Sequence, residues 1–113
     1  MKSKILSLSK SEDFKNLLSG RKISNPYSTI FFKRIYTKNN KLLNVSFVTK
    51  KKIGNAVKRN KIKRRLRNIM NDAIKTINMN LDYSYLFIAK KNIYDANYKM
   101  IKDSIFKDLI KVR

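Results

Sequence analysis

KKIGNAVKRNKIKRRLRNI, residues 51–69, is the stretch on which the reading of this chain turns. Ten Lys and Arg residues fall between Lys50 and Arg67, with no Asp or Glu among them. Gly54 ends what precedes it, Asn55 offers an N-cap, and no helix breaker follows from Ala56 to Ile77. Within that span Ile62, Leu66, Ile69, Met70, Ala73 and Ile77 recur at helical spacing and define one apolar face.

With that stripe as the core direction, Asn60, Arg64, Arg67 and Asn71 point the opposite way and are expected to be solvated. Lys58, Lys61 and Arg65 flank one edge of the stripe, Arg59 and Lys63 the other. The cations crowd the helix N-terminus, where the macrodipole is already positive, at a cost of roughly a few tenths of a kcal/mol each. A helix shaped for stability alone would carry them at its other end. The pattern therefore points to an external anion, and a capped helix start ringed by cations suits phosphate.

Working outward, Tyr83–Ala89 (YSYLFIA) reads as a buried strand. Residues 95–112, with Met100, Ile101, Ile105, Phe106, Leu109 and Ile110, read as a closing amphipathic helix. Upstream, Leu43, Val45, Phe47 and Thr49 alternate with Asn44, Ser46 and Val48, and residues 27–36 (YSTIFFKRIY) are β-branched and aromatic. The polar run 38–41 between them predicts a turn and a hairpin. Ser11, then Glu12 and Asp13, predicts a capped helix start, with Phe14, Leu17 and Leu18 as its stripe and Gly20 as its stop. The expected order is α-β-β-α-β-α: an α+β two-layer sandwich of helices on a mostly antiparallel sheet.

At 113 residues the chain is expected to form a single domain, residues 1–113, and its formal net charge of +21 attracts polyanions, nucleic acid or anionic membrane. No apolar run approaches the roughly 18 residues a spanning helix needs, and the N-terminal segment does not read as a signal peptide. There is no cysteine, hence no disulfide framework or thiolate metal site, and the expected location is cytoplasmic. A hydrophobic share of 42% with one Pro and two Gly argues against disorder. Catalysis by the chain alone is disfavoured: there is no histidine, and the seven acids form no evident two-metal pair.

The run K-K-I-G-N-A-V-x-R-N-x-I-K-R-x-x-R, Lys51 to Arg67, resembles the signature of the bacterial ribonuclease P protein subunit, and length, charge and element order agree. The resemblance implies a basic subunit of a ribonucleoprotein endoribonuclease that removes the 5′ leader of precursor tRNA. Its partners would be the ribonuclease P RNA, which holds the active site, and precursor tRNA. Mg²⁺ would be held mainly by that RNA. It also implies a left-handed βαβ crossover through the signature helix, where the general rule gives the right-handed sense, and a fold shared with a domain of a ribosomal protein.

Carried over by position, the signature helix residues expected to meet the catalytic RNA are Asn55, Lys58, Arg59, Asn60, Lys61, Lys63, Arg64 and Arg67. The family often has Arg where this chain has Lys61, which keeps the charge and loses the bidentate fork. The leader cleft between the first helix and the sheet is expected at Phe14, Leu18, Phe31 or Phe32, Lys51, Lys52, Lys90 and Lys91. Leu18 stands where the family often has a second aromatic. No catalytic residue is expected in the protein. The alternative is a structural RNA-binding protein of the ribosome, which would share charge and fold but add nothing to precursor processing.

Overall fold

In the computed structural model, residues 5–7, 11–34, 42–77 and 79–112 are described. Among the described residues five strands build one sheet: β1 (Ile5–Ser7), β2 (Arg21–Ser24), β3 (Ser28–Arg34), β4 (Leu43–Val48) and β5 (Tyr83–Ala89). Their spatial order is β1-β4-β5-β3-β2. Three helices accompany them, α1 (Ser11–Leu18), α2 (Ala56–Thr76) and α3 (Tyr98–Ile110). The α+β class matches expectation. Both strands missing from the sequence reading lie at the sheet edges: β1 has three residues, and RKIS of β2 offers one apolar side chain.

The expected hairpin between β3 and β4 does not form, because β5 lies between them. β5 pairs antiparallel with β3 from Ser28–Ala89 to Arg34–Tyr83, and parallel with β4 from Val45–Tyr85 to Val48–Ile88. Turn residues alone cannot decide pairing when a later strand offers a long apolar ladder on both sides. The sheet is mixed, with antiparallel β2/β3 and β3/β5 and parallel β1/β4 and β4/β5. β4, α2 and β5 thus form a βαβ crossover between parallel neighbours. The turn expected at 38–41 and the end of the strand expected to reach Tyr36 lie outside the described residues.

Strand alternation sends the two faces of the sheet to different partners. On one face Ile30, Phe32, Val45, Tyr85 and Phe87 join Ile62, Leu66, Ile69 and Met70 of α2 and Ile101, Ile105 and Leu109 of α3 in the main core. The stripe read from the sequence is therefore the buried face of α2, with Leu66 wholly enclosed. On the other face Leu17 of α1 meets Leu86, with Phe14, Phe31, Val48 and Ile88 partly buried around them. The two-layer expectation describes the sheet against α2 and α3; α1 adds a short partial layer opposite.

Three local devices hold these parts in place. Asn55 caps α2, its side chain accepting from the Lys58 N–H at 3.0 Å. α1 stops against β3 at Gly20, where a Cβ would lie 2.6 Å from the Phe32 carbonyl oxygen and 2.8 Å from the Lys33 Cβ, so the close approach needs glycine. The bend between β2 and β3 is an Asx turn: the Asn25 side-chain oxygen accepts from the N–H groups of Tyr27 and Ser28, both at 2.8 Å. The Asn25 amide then donates to buried Asp108 of α3 at 2.9 Å, which ties the bend to the last helix. α3 itself begins at Tyr98 rather than Asp95, because the Asn97 side chain accepts from the Lys99 N–H and caps it there.

Candidate nucleic-acid interface

The first turns of α2 carry their charge outward. Asn55, Lys58, Asn60, Lys61, Lys63 and Arg64 are exposed, while Arg59, Arg65 and Arg67 are partly buried. The full solvation expected at Arg67 and Asn71 is not found: both are partly buried. A helical wheel fixes where a Cβ points, and a long guanidinium stem can still lie back along the protein surface. Arg59 Nε is buried without a hydrogen-bond partner, a donor whose desolvation an incoming acceptor would offset. Val57, beside these cations, is 77% exposed.

The flank predicted for Lys58, Lys61 and Arg65 converges on one residue. The Lys58 and Lys61 ammonium groups lie 4.9 and 5.7 Å from the Tyr94 ring centroid, and Arg65 Nη1 donates to the Tyr94 carbonyl oxygen at 3.2 Å.

The second surface is the sheet face that α1 covers only in part. Phe31, not Phe32, belongs to it. Phe32 is buried in the main core, edge-on to Tyr83 with centroids 5.5 Å apart and with the Arg21 guanidinium 4.7 Å from its ring centroid. Phe14 and Phe31 thus share a floor with Val48 and Ile88, whereas Leu18 is 50% exposed at the outer side of α1. Toward the ends of β4 and β5 the face opens into a pocket of ≈ 330 Å³ lined by Thr29, Ile53, Ile88 and Ala89, with Lys50, Lys52, Lys90 and Lys91 around it.

Three of the four lysines assigned to the cleft meet at this pocket. Lys51 is exposed in the 3-10 turn Lys51–Ile53 and does not line it, and Lys50 does so in its stead. Lys90 also has a second task. Its ammonium donates to Ser24 Oγ and to the Asn25 carbonyl oxygen, each at 2.7 Å, and so braces the β2–β3 bend. Thr29, Val48, Ile88 and Lys50 were missed as site residues. Thr29 and Ile88 are cross-strand partners, so finding them requires the β3/β5 register; Lys50 was already visible in the cation run.

Among the described residues no group of three His, Cys, Asp or Glu side chains could hold a metal ion. No helix of the described residues is long and apolar enough to cross a membrane. What the geometry presents is a cationic helix start and a lysine-rimmed apolar groove: an α+β protein shaped to hold a polyanion.

The comparisons resolve that class. The family model for ribonuclease P matches residues 2–113. The ribonuclease P protein component of Fusobacterium nucleatum is 38% identical over 112 residues, covering 93% of this chain and 91% of the relative. That of Caldanaerobacter subterraneus is 30% identical over 115 residues, covering 98% and 92%. The solved ribonuclease P protein of Thermotoga maritima, at 20% identity, superposes with a TM-score of 0.79 over 96% of this chain and 98% of its own, a likeness of fold. The chain belongs to the ribonuclease P protein family, whose members are the protein component of a ribonucleoprotein endoribonuclease that works with ribonuclease P RNA. The ribosomal alternative finds no support in these comparisons.

Proposed function

We propose that this chain binds the catalytic RNA of ribonuclease P through the first turns of α2 and the single-stranded 5′ leader of precursor tRNA along the groove between α1 and the sheet. The observation that carries this is the continuity of the two surfaces. Lys50 and Lys52 rim the groove, and the chain then passes through Ile53 and Gly54 directly into the Asn55 cap of α2. One anionic ligand on each side of that short turn would be held in fixed relation to the other.

The chemistry follows from side-chain type. Phe14 and Phe31 offer ring faces for bases, a contact worth roughly 1–3 kcal/mol per base and tolerant of sequence. Lys50, Lys52, Lys90 and Lys91 track the backbone by charge. On α2, Arg59, Arg64 and Arg67 supply planar forks for phosphate, and Lys58, Lys61 and Lys63 supply point charges. The protein contributes no catalytic residue; it raises substrate affinity and screens phosphate repulsion in the RNA fold. Mg²⁺ for the hydrolysis would be held mainly by RNA oxygens, and the setting would be the cytoplasm.

Reconstitution tests this. Purified protein is combined with a bacterial ribonuclease P RNA and precursor tRNA at low millimolar Mg²⁺. Leader release that needs both components, with none from protein alone, is the expected result. Tight RNA binding without any gain in cleavage would overturn it.

A further inference from the structure

Lys58 and Lys61 are one helical turn apart, both exposed and both positive, a pairing that destabilises a helix and leaves two long side chains free to diverge. Instead both ammonium groups face one aromatic ring, that of Tyr94, at 4.9 and 5.7 Å from its centroid. The ring's negative face attracts each cation and offsets part of their mutual repulsion. Tyr94 is itself fixed from two sides. Arg65, one turn beyond Lys61, donates to its carbonyl oxygen, and Ile93 beside it is anchored in the main core.

We infer that Tyr94 is a positioning residue for RNA binding: its ring holds Lys58 and Lys61 in the orientation in which they meet phosphates of the RNA. The inference rests on the RNA-binding role proposed for α2. An ammonium carries three N–H bonds in a tetrahedral array, so one approaching a ring keeps others directed outward to phosphate oxygens. Ring and phosphate can therefore hold the same lysine together. Ordering two lysines before RNA arrives reduces the side-chain entropy lost on binding. The role differs from that of the groove aromatics, which would touch the nucleic acid directly.

The test compares the parent with Tyr94→Phe and Tyr94→Leu, each alone and in a Lys58→Met/Lys61→Met background, by titration against ribonuclease P RNA over a range of salt. At exposed sites each cation–π contact corresponds to about a twofold change or slightly more, so Tyr94→Leu should weaken binding about fivefold and Tyr94→Phe should bind as the parent does. The salt slope of Tyr94→Leu should equal the parent's, since no charge is lost. In the double-Met background Tyr94→Leu should cause no further loss.

Proton NMR of the free protein supplies a second readout that does not depend on the Leu variant folding. The Lys58 and Lys61 ε-methylene signals should be shifted upfield by the ring in the parent and in Tyr94→Phe. Absence of that shift, unchanged affinity in a folded Tyr94→Leu, or a Leu penalty that persists without the two lysines would each overturn the inference. A parent that binds no RNA at all would remove the underlying reading of α2 as well, and is told apart because the NMR shift would still be present.

Discussion

Phe31 and Phe32 are consecutive in β3 and belong to different halves of the molecule. Phe31 lies partly open beside Leu86 and α1, and Phe32 is sealed in the main core against Tyr83. Substitution should separate them cleanly. Phe32→Ala should cost about 3–5 kcal/mol of stability, the range for truncating a buried aromatic. Phe31→Ala should cost clearly less in denaturant titration and weaken binding of a leader-bearing precursor tRNA relative to leaderless tRNA. Equal stability losses at the two positions would contradict the assignment of faces.

Charge and stacking should be distinguishable by salt. Arg64 is exposed on α2, so Arg64→Ala should flatten the dependence of log affinity for RNA on log salt by one phosphate contact, a slope change of about 0.7–0.9. Phe14→Ala should weaken leader binding with the slope nearly unchanged, because it removes a ring face and no charge. Similar slope changes from both would show that the two surfaces are not chemically separate.

Lys90 and Lys91 are neighbours at the same pocket with unequal duties. Lys90→Met loses two 2.7 Å hydrogen bonds to Ser24 and Asn25 and should lower stability by about 1 kcal/mol, a charged-donor value reduced for partial exposure. Lys91 is exposed at the pocket rim, so Lys91→Met should leave the melting temperature within a degree or so and act only on RNA affinity. A melting series on the two variants decides this.

Gly20 should tolerate no side chain. A Cβ there would sit 2.6 Å from the backbone oxygen of Phe32, which cannot move without dragging β3. Gly20→Ala should therefore cost about 1–3 kcal/mol, the range for overpacking. Because the shift would separate α1 from β3, leader binding should fall along with stability. A variant as stable as the parent would show that α1 can retreat freely.

Much of this was legible in the chain itself. The stripe from Ile62 to Ala73 and the cap at Asn55 are local patterns, and each lies where the spacing placed it. Sheet order was not local: only the apolar ladder of β5, reached after α2, decides that β3 and β4 stand apart. The groove suffered for the same reason. Its cations were readable as runs, but Thr29 and Ile88 come together through a register spanning 59 positions of sequence, and the choice between Phe31 and Phe32 needed the same information. Tyr94 carried no signal at all, since its meaning depends on where the flank of α2 comes to rest.

The placement of β5 has a further consequence for how the chain is made. β3 can pair with β2 and β4 with β1, yet each lacks its inner neighbour until residues 83–89 emerge and insert between them. Until then the nascent chain holds two unfinished sheet fragments with open edges and a strongly positive helix between β4 and the missing strand. Completion of the sheet must await the synthesis of β5, and the slow step should be its docking, the strand pairing of longest sequence separation. For an RNA-binding chain that delay sets an order of events: the lysine-rimmed pocket, which needs Ile88 to Lys91 at and just beyond the end of β5, forms after the start of α2. The cationic start of α2 is made well before the groove is complete.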